Sequence, residues 1–450
     1  MPAAAAAPRT SPFDYRDYRA FWAARLASTI ANTMLVVVIG LHVYDIARET
    51  MSIREASFWL GMIGLAQFLP LFLLTLVAGY VADRIDRRWI VRGSLSLELI
   101  CAAVLAALVW FDAMSLAPLF GVSIALGIGR AFAGPALAAF APNLVPPGLL
   151  PSAIALNSIA WQAGAVAGPL IGGAAYALSV SLPYELSALL FAVAVGAMML
   201  IRPIPRGNAG ASHPLRAVIE GLAYVRDNRI VLGAITLDLF AVLLGGATAM
   251  LPVYARDVLH VGSEGLGALR AAPAVGAALT ALILARRPLR RHVGAKMFAC
   301  VAVFGLATMV FGESEVLWLS LAALFVLGAS DMISVYVRSS LIQLHTPDAM
   351  RGRVSAVSGL FISASNELGE FRAGIVGALF GPVVAVVGGG ALAVGVTGLC
   401  AWLFPALRKA DRFEVPDAFI LSEASGKDMP DVEVPAMAAG MNLKAEKGLP

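Results

Sequence analysis

The chain is divided into apolar blocks, each close to the ~20 residues that a helix needs to cross a bilayer. Twelve can be placed: 20–45, 57–82, 89–111, 115–140, 149–178, 183–202, 230–255, 263–285, 294–312, 316–339, 351–379 and 382–406. Inside hydrocarbon every backbone N–H and C=O must find its partner within the protein, so only helices and closed barrels can span it. The blocks are continuous rather than alternating, which selects helices. The expected fold is therefore an all-α membrane protein. Charged residues make up 14% of the 450, against about 25% in soluble domains. A nucleic-acid role would need basic residues gathered on a soluble domain, and the sequence has none. The net charge of +4 says little by itself.

The distribution of Lys and Arg says more. With the N-terminus inside, 22 fall on the cytoplasmic side and 3 (Arg48, Arg54, Arg256) on the other. Positive residues stay on the cytoplasmic side, so both termini are expected there. The first 19 residues read as a cytoplasmic tail and not as a cleavable signal: their alanine run precedes any basic cluster, and Asp14 and Asp17 interrupt them. Cys101, Cys300 and Cys400 each lie inside an apolar block without metal-ligand spacing and read as small packing residues.

Between the second and third blocks stands GYVADRIDRR, Gly79 to Arg88. Charges this dense between two spans belong at a water boundary. On a continuing helix Asp83 and Arg87 would share one face. Gly79, Asp83, Arg84, Arg87 and Arg88 resemble the loop motif of the major facilitator superfamily, with Asp86 where that pattern has glycine. The resemblance implies two six-helix halves around a central cavity, with this loop acting as a cytoplasmic latch.

The sequence also repeats. Gln67-Phe68-Leu69-Pro70 answers to Arg270-Ala271-Ala272-Pro273 at an offset of 203. At the same offset Arg84, Arg87 and Arg88 fall on Arg287, Arg290 and Arg291, and Ser152-Ala153 on Ser355-Ala356. The expected division is a first half over 20–202, a link over 203–229 and a second half over 230–406. The link carries a short amphipathic helix lying on the membrane surface. The remainder, 407–450, is charged, broken by Pro and Gly and poor in aromatics, a composition that predicts disorder.

GAVAGPLIGG in the fifth block holds four glycines and a proline in ten residues. In lipid such small residues let a neighbouring helix approach closely, and proline bends the helix. Gly164, Gly168, Pro169, Gly172 and Gly173 also resemble the helix-five motif of the superfamily's exporters. The stretches 237–262 and 350–374 resemble the branch of enterobactin exporters and macrolide efflux proteins; Arg372-Ala373 departs from it, where an acidic residue is usual.

The loops show no nucleophile–base arrangement, phosphate loop or metal spacing, so an enzyme is not expected and function must lie within the membrane. Each ionisable residue there is costly and is a candidate. Arg130, with Gly134, resembles the family's helix-four arginine, which implies proton transfer or recognition of substrate charge; pairing with a carboxylate or carbonyl is the structural alternative. Asp238 lies about nine residues into the seventh block, ~13 Å deep at about 1.5 Å per residue. It is either a coupling residue or half of a buried ion pair. Glu367 and Glu370 stand one turn apart on one face of the eleventh block, where mutual repulsion suits the holding of a proton between them. Arg372 points away from both. Arg25, Asn32, Glu98, Asp331 and Arg338 read as structural contacts first and as site residues second.

The resemblance implies a secondary exporter of a small, partly apolar compound, drug- or siderophore-like, working by alternating access against proton entry. No cofactor is expected beyond the proton gradient. The expected setting is a monomer in the bacterial inner membrane, with protons, lipid and a small molecule as partners. An uptake symporter, a flippase for a lipid-like molecule and a non-transporting receptor are the alternatives.

Overall fold

The structure, a computed structural model, describes residues 11–138, 140, 144–203 and 214–413. Within these, the side chains at 75–76, 79–80, 82–84, 135, 138, 147, 214–217 and 348–349 lie outside the description. The predicted disordered tail falls outside it from residue 414 onward.

The first six long helices are α1 (Arg16–Thr50), α2 (Ile53–Arg84), α3 (Arg87–Trp110), α4 (Leu116–Ala138), α5 (Leu150–Leu178) and α6 (Leu182–Met199). A link helix, α7 (Pro214–Asp227), leads to α8 (Arg229–Gly245) and the short α9 (Leu251–Val253). Then follow α10 (Gly262–Arg286), α11 (Val293–Glu313), α12 (Leu317–Leu344), α13 (Asp348–Phe380), α14 (Pro382–Leu403) and the short α15 (Pro405–Arg408). Among the described residues, eleven helical segments have the length and apolar composition to cross a membrane. The twelfth span is α13, whose 33 residues include Arg351, Arg353, Glu367, Glu370 and Arg372. Helix α1 begins at Arg16, four residues before the block read from the sequence, because Tyr18 and Trp22 already bond to α5 and Phe21 stacks on Phe140. The Tyr18 hydroxyl donates to the Ala153 carbonyl at 2.9 Å, and the Trp22 indole to that of Leu156 at 2.9 Å.

Helix starts follow local chemistry. Ser52 and Glu55 form a reciprocal cap at the start of α2, and Asn228 accepts from the amides of Ile230 and Val231 at the start of α8. Asp86 caps α3 by accepting from the Arg88 amide, and its carboxylate also holds the Arg88 guanidinium at 2.6 Å. The continuing helix on which Asp83 and Arg87 would share a face is absent here: α2 ends at Arg84 and α3 restarts after Asp86. At φ −59° Asp86 fits without glycine. The expected latch, with Gly79, Asp83 and Arg84, lies outside the residues whose side chains are described.

Helices pair by the same scheme twice. In the first set α1 packs on α5 and α6, α2 on α4, and α3 on α4 and α6. In the second set α8 packs on α13 and α14, α10 on α12, and α11 on α12 and α14. The repeated prolines, Pro70 and Pro273, sit inside α2 and α10, which hold equivalent places. The two sets meet along α2 with α13 and along α5 with α10.

The seventh span, expected as one run over 230–255, is broken. Helix α8 stops at Gly245, Gly246 takes a non-helical ψ of 113°, and a 3₁₀ turn (Thr248–Met250), α9 and a π turn (Tyr254–Val258) complete the crossing. Two adjacent glycines and Pro252 account for the break. Irregular backbone at this depth is tolerated where it borders a cavity.

Candidate functional site

A cavity of about 610 Å³ lies between the two sets. Most of its wall is apolar, with Val36, Leu60, Ile63, Leu251 and Leu266 among the lining. Its charged groups and one glutamine divide by origin, beside the hydroxyls of Thr33, Thr248 and Ser363 and the amide of Asn366. The first set contributes Gln67 and Arg130; the second contributes Arg270, Glu367 and Glu370. Gln67 and Arg270, equivalent positions of the sequence repeat, both face it.

Neutral acceptors hold Arg130 in place. Its Nη1 donates to Gln67 Oε1 at 2.9 Å and its Nε to Asn32 Oδ1 at 3.3 Å. Asn32 Nδ2 in turn donates to Glu98 Oε2 at 3.2 Å. Glu98, on α3, is 1% exposed, and its Oε1 has no hydrogen-bond partner among the described residues. On the opposite wall Glu370 Oε1 accepts from the Thr248 hydroxyl at 2.9 Å and meets Arg270 Nη2 at 3.5 Å. Glu367, one turn before Glu370, lines the cavity without a hydrogen bond or ion pair among the described residues. Trp161 also borders the cavity, and the Arg25 guanidinium lies 5.3 Å from its ring centre.

Other candidates lie elsewhere. Asp238 does not line this cavity: it is ion-paired with Arg338, and their side chains are 8% and 4% exposed. Asp331 and Ser334 join Asp238 around a separate small void inside the second set. Arg372 turns toward α14, where the absent side chain of Gly389 leaves it room; its Nε and Nη2 are buried without partners among the described residues.

The glycine motif of α5 serves two contacts. A Cβ at Gly164, Gly168 or Gly172 would press on Thr29, Thr33 or Met34 of α1, and Thr33 Oγ1 donates to the Gly164 carbonyl at 2.9 Å. Gly173 instead meets Gly267 of α10 across the two sets, while Pro169 borders the cavity. On the other seam Gly61 of α2 and Gly374 of α13 approach so closely that a Cβ on either would collide with the other's backbone.

One cluster was absent from the sequence reading. At the end of the molecule away from the termini, Arg256 grips Asp45 at 2.9 and 2.6 Å, and Arg48 meets Asp257 at 3.2 Å. Tyr176 donates to Asp45 at 3.0 Å, and Tyr44 donates to Asp257. These bonds join α1 to the π turn of the other set, and α5 to α1 beside it. The signal was in the chain as opposite charges at the ends of the first and seventh spans. Arg92 was missed as well: the residue is 9% exposed, and its guanidinium donates to the Met198 carbonyl at 2.9 Å, satisfying the C-terminus of α6.

Outside the spans, α7 is fastened to α12 and α13. Tyr224 donates to the His345 carbonyl, Asn228 reaches the same oxygen at 3.3 Å, and Arg353 pairs with Glu220 at 2.5 Å. Burial lowers the His345 imidazole from its ordinary 6.5, and the Leu341 carbonyl beside it partly opposes that shift.

Comparison with known proteins agrees with this architecture. A family model described as transmembrane secretion effector (MFS_3) matches residues 7–422. Relatives named enterobactin exporter EntS include one from Citrobacter koseri, 25% identical over 84% of this chain and 90% of its own length. One from Shigella boydii serotype 18 is also 25% identical over the same shares. Among solved structures, the human organic anion transporter MFSD10 (TETRAN) matches with a TM-score of 0.61 at 17% identity, over 86% of this chain and 99% of its own. A bacterial homologue of the human lysosomal transporter Spinster, inward-facing and occupied, matches at 0.66 and 16% identity over 94% and 100%. The likeness to these structures concerns the fold. The chain is a multi-pass membrane transporter, not an enzyme, and belongs to the transmembrane secretion effector family of the major facilitator superfamily.

Proposed function

We propose that this protein exports a small amphipathic compound across the bacterial inner membrane in exchange for protons, with both termini cytoplasmic. The observation that carries the reading is the cavity itself. Its apolar lining suits a partly apolar molecule, and its charges come from opposite sets, so a bound molecule would touch both halves at once. At the end away from the termini, the two ion pairs and the two glycine contacts join the halves. A compound entering from the terminal side would meet the polar walls before that closed end. The halves would then turn, separating Asp45 from Arg256 and Arg48 from Asp257. A ligand drives such a change only through different affinity for the two states. The 22-to-3 bias of basic residues places the terminal end in the cytoplasm under this reading, and the exporter names of the relatives support the direction.

The test uses inside-out vesicles with an acid lumen, a pH-sensitive dye and labelled enterobactin or tetraphenylphosphonium. Accumulation of either compound together with lumenal alkalinisation is expected, and loss of both in Arg130→Ala. Accumulation without proton movement would remove the antiport. Accumulation only in right-side-out vesicles under external acid would reverse the direction.

A further inference from the structure

The loop between α2 and α3 and its repeat between α10 and α11 carry the same arginines but not the same acids. In the first loop Arg84, Arg87 and Arg88 stand among Asp83 and Asp86, and the Asp86 carboxylate holds Arg88 at 2.6 Å. At the offset of 203 those two acids become Arg286 and Leu289. The second loop therefore sets Arg286, Arg287, Arg290 and Arg291 within six residues, with no acid of its own. All four are exposed, and none has an ion pair among the described residues. Like charges this close repel one another, and an anion brought among them relieves the repulsion.

One acid has been brought there already, from the far end of the chain. After α15 the backbone returns to the start of α11, where Asp411 does what Asp86 does for α3. Its Oδ1 accepts from the His292 amide at 3.0 Å, and its carbonyl from that of Val293 at 3.3 Å. The Ala410 carbonyl takes the Gly294 amide at 2.9 Å. Leu407 is fully buried, a Cβ at Gly294 would collide with its carbonyl, and the Phe413 ring meets Tyr336 of α12 at 5.8 Å. Residues 407–413 are thus fastened beside the arginine loop, and the chain runs on from there. Its next twenty residues, 414–433, hold Glu414, Asp417, Glu423, Asp428, Asp431 and Glu433 against Lys427 alone.

We propose that the acidic segment 414–433 docks on the loop between α10 and α11 and supplies the carboxylates that this repeat has lost. Glu414 lies about 10 Å of extended chain beyond Asp411, and Asp417 about 20 Å. The loop from Arg286 to Arg291 spans no more than about 20 Å, so the segment can lie along all of it. Each exposed pair is worth little alone. Several made together by a tethered segment add up, because the tether keeps the local concentration of carboxylates at about the millimolar level. Salt shortens the screening distance from about 10 Å at 0.1 M to about 3 Å at 1 M, so the contact has to weaken over that range. Anionic lipid headgroups are the competing occupant, since Leu282 and Ile283 are exposed one turn before Arg286 on the same helix. The tether favours the segment. The contact does not depend on the direction of transport or on proton exchange.

A thiol pair reads the contact: Pro288→Cys in the loop and Ala418→Cys in the segment. The full chain is used, with Cys101→Ala, Cys300→Ala and Cys400→Ala, and is oxidised in uncharged detergent. The disulfide should form about fivefold faster at about 0.1 M salt than at about 1 M. Glu414→Gln, Asp417→Asn and Glu423→Gln together leave residues 1–413 as they are and should bring the low-salt rate down to the high-salt value. Arg286→Glu, Arg287→Glu, Arg290→Glu and Arg291→Glu should do the same, and Glu414→Lys, Asp417→Lys and Glu423→Lys in that reversed loop should restore the rate. Should the reversed loop fail to fold, the segment variants and the salt series decide alone. A rate indifferent to salt and to the charges of the segment would mean tethered proximity and nothing more, and would overturn the proposal. In phosphatidylglycerol vesicles the fast, salt-sensitive rate should persist. Its loss there would overturn the proposal as well, and its retention in phosphatidylcholine vesicles alone would assign the loop to anionic headgroups.

Discussion

The two halves pair their helices alike, yet they treat their buried charges in opposite ways. In the first half, an acid on α3 and an arginine on α4 are separated by Asn32, and the arginine reaches the cavity. In the second half, Asp238 on α8 and Arg338 on α12 touch directly and stay sealed from the cavity. A direct buried pair has satisfied itself and has little left to offer a ligand. A pair held apart by an amide keeps its charges available. One repeat has become frame and the other has become site, while the second half supplies its cavity charges from α10 and α13.

This contrast can be broken first at Arg338. Arg338→Ala should strand Asp238 in a dry interior and cost about 3–5 kcal/mol, seen as lost yield of folded protein and early thermal unfolding. The double change Asp238→Leu with Arg338→Met should recover most of that stability and leave transport intact; dead transport in a stable double variant would give the second cluster a functional role. Next comes Arg130→Lys, which keeps the charge but loses the fork that reaches Asn32 and Gln67. Transport in vesicles should fall by about tenfold or more with the melting temperature nearly unchanged, and a parallel fall in melting temperature would make Arg130 frame as well.

A smaller effect is expected at the closed end. The Asp45–Arg256 pair is about a third exposed, so water screens it and it is worth about 1 kcal/mol at most. Asp45→Asn should raise thiol labelling of Val36→Cys from the far side several-fold, and Asp45→Arg with Arg256→Asp should bring it back. The least change concerns His345, outside the bundle. Its folded pKa is lowered, so its contribution to docking α7 is present above the ordinary 6.5 and is lost as pH falls through the folded value. Hydrogen exchange in α7 should quicken modestly under acid, and Tyr224→Phe should show the faster exchange already at neutral pH.

Much of this fold was legible because hydrocarbon allows so few arrangements. Continuous apolar blocks announced the spans, and Gln67 and Arg270 announced the repeat that brings both to the cavity. The shared face of Glu367 and Glu370 was read from helical spacing alone, and both line the site. Partners were harder. Depth placed Asp238 in the membrane, but nothing near it in the chain names Arg338, a hundred residues on. Asp83 and Arg87 would share a face only on a continuing helix, and helical spacing alone does not reveal the break that Asp86 turns into a fresh start. The break at Gly246 was written in adjacent glycines but hidden by an unbroken apolar run. Glu98 looked like one buried charge among several; only its single neutral partner sets it apart.

The glycine contacts have a mechanical consequence. Gly61 with Gly374, and Gly173 with Gly267, bring backbone against backbone across the halves near one end of the bundle. A pair of bare backbones in contact can act as a fulcrum, since there is little to shear when one rolls on the other. The rest of the span, ~30 Å of hydrocarbon, then serves as the lever arm. A turn of about 15°, the size by which packed subunits rotate in allosteric proteins, would move the opposite ends by about 8 Å. That is wide enough to admit one aromatic ring system, so the size of the cargo would be gauged at the mouth by the length of the lever as much as by the cavity walls.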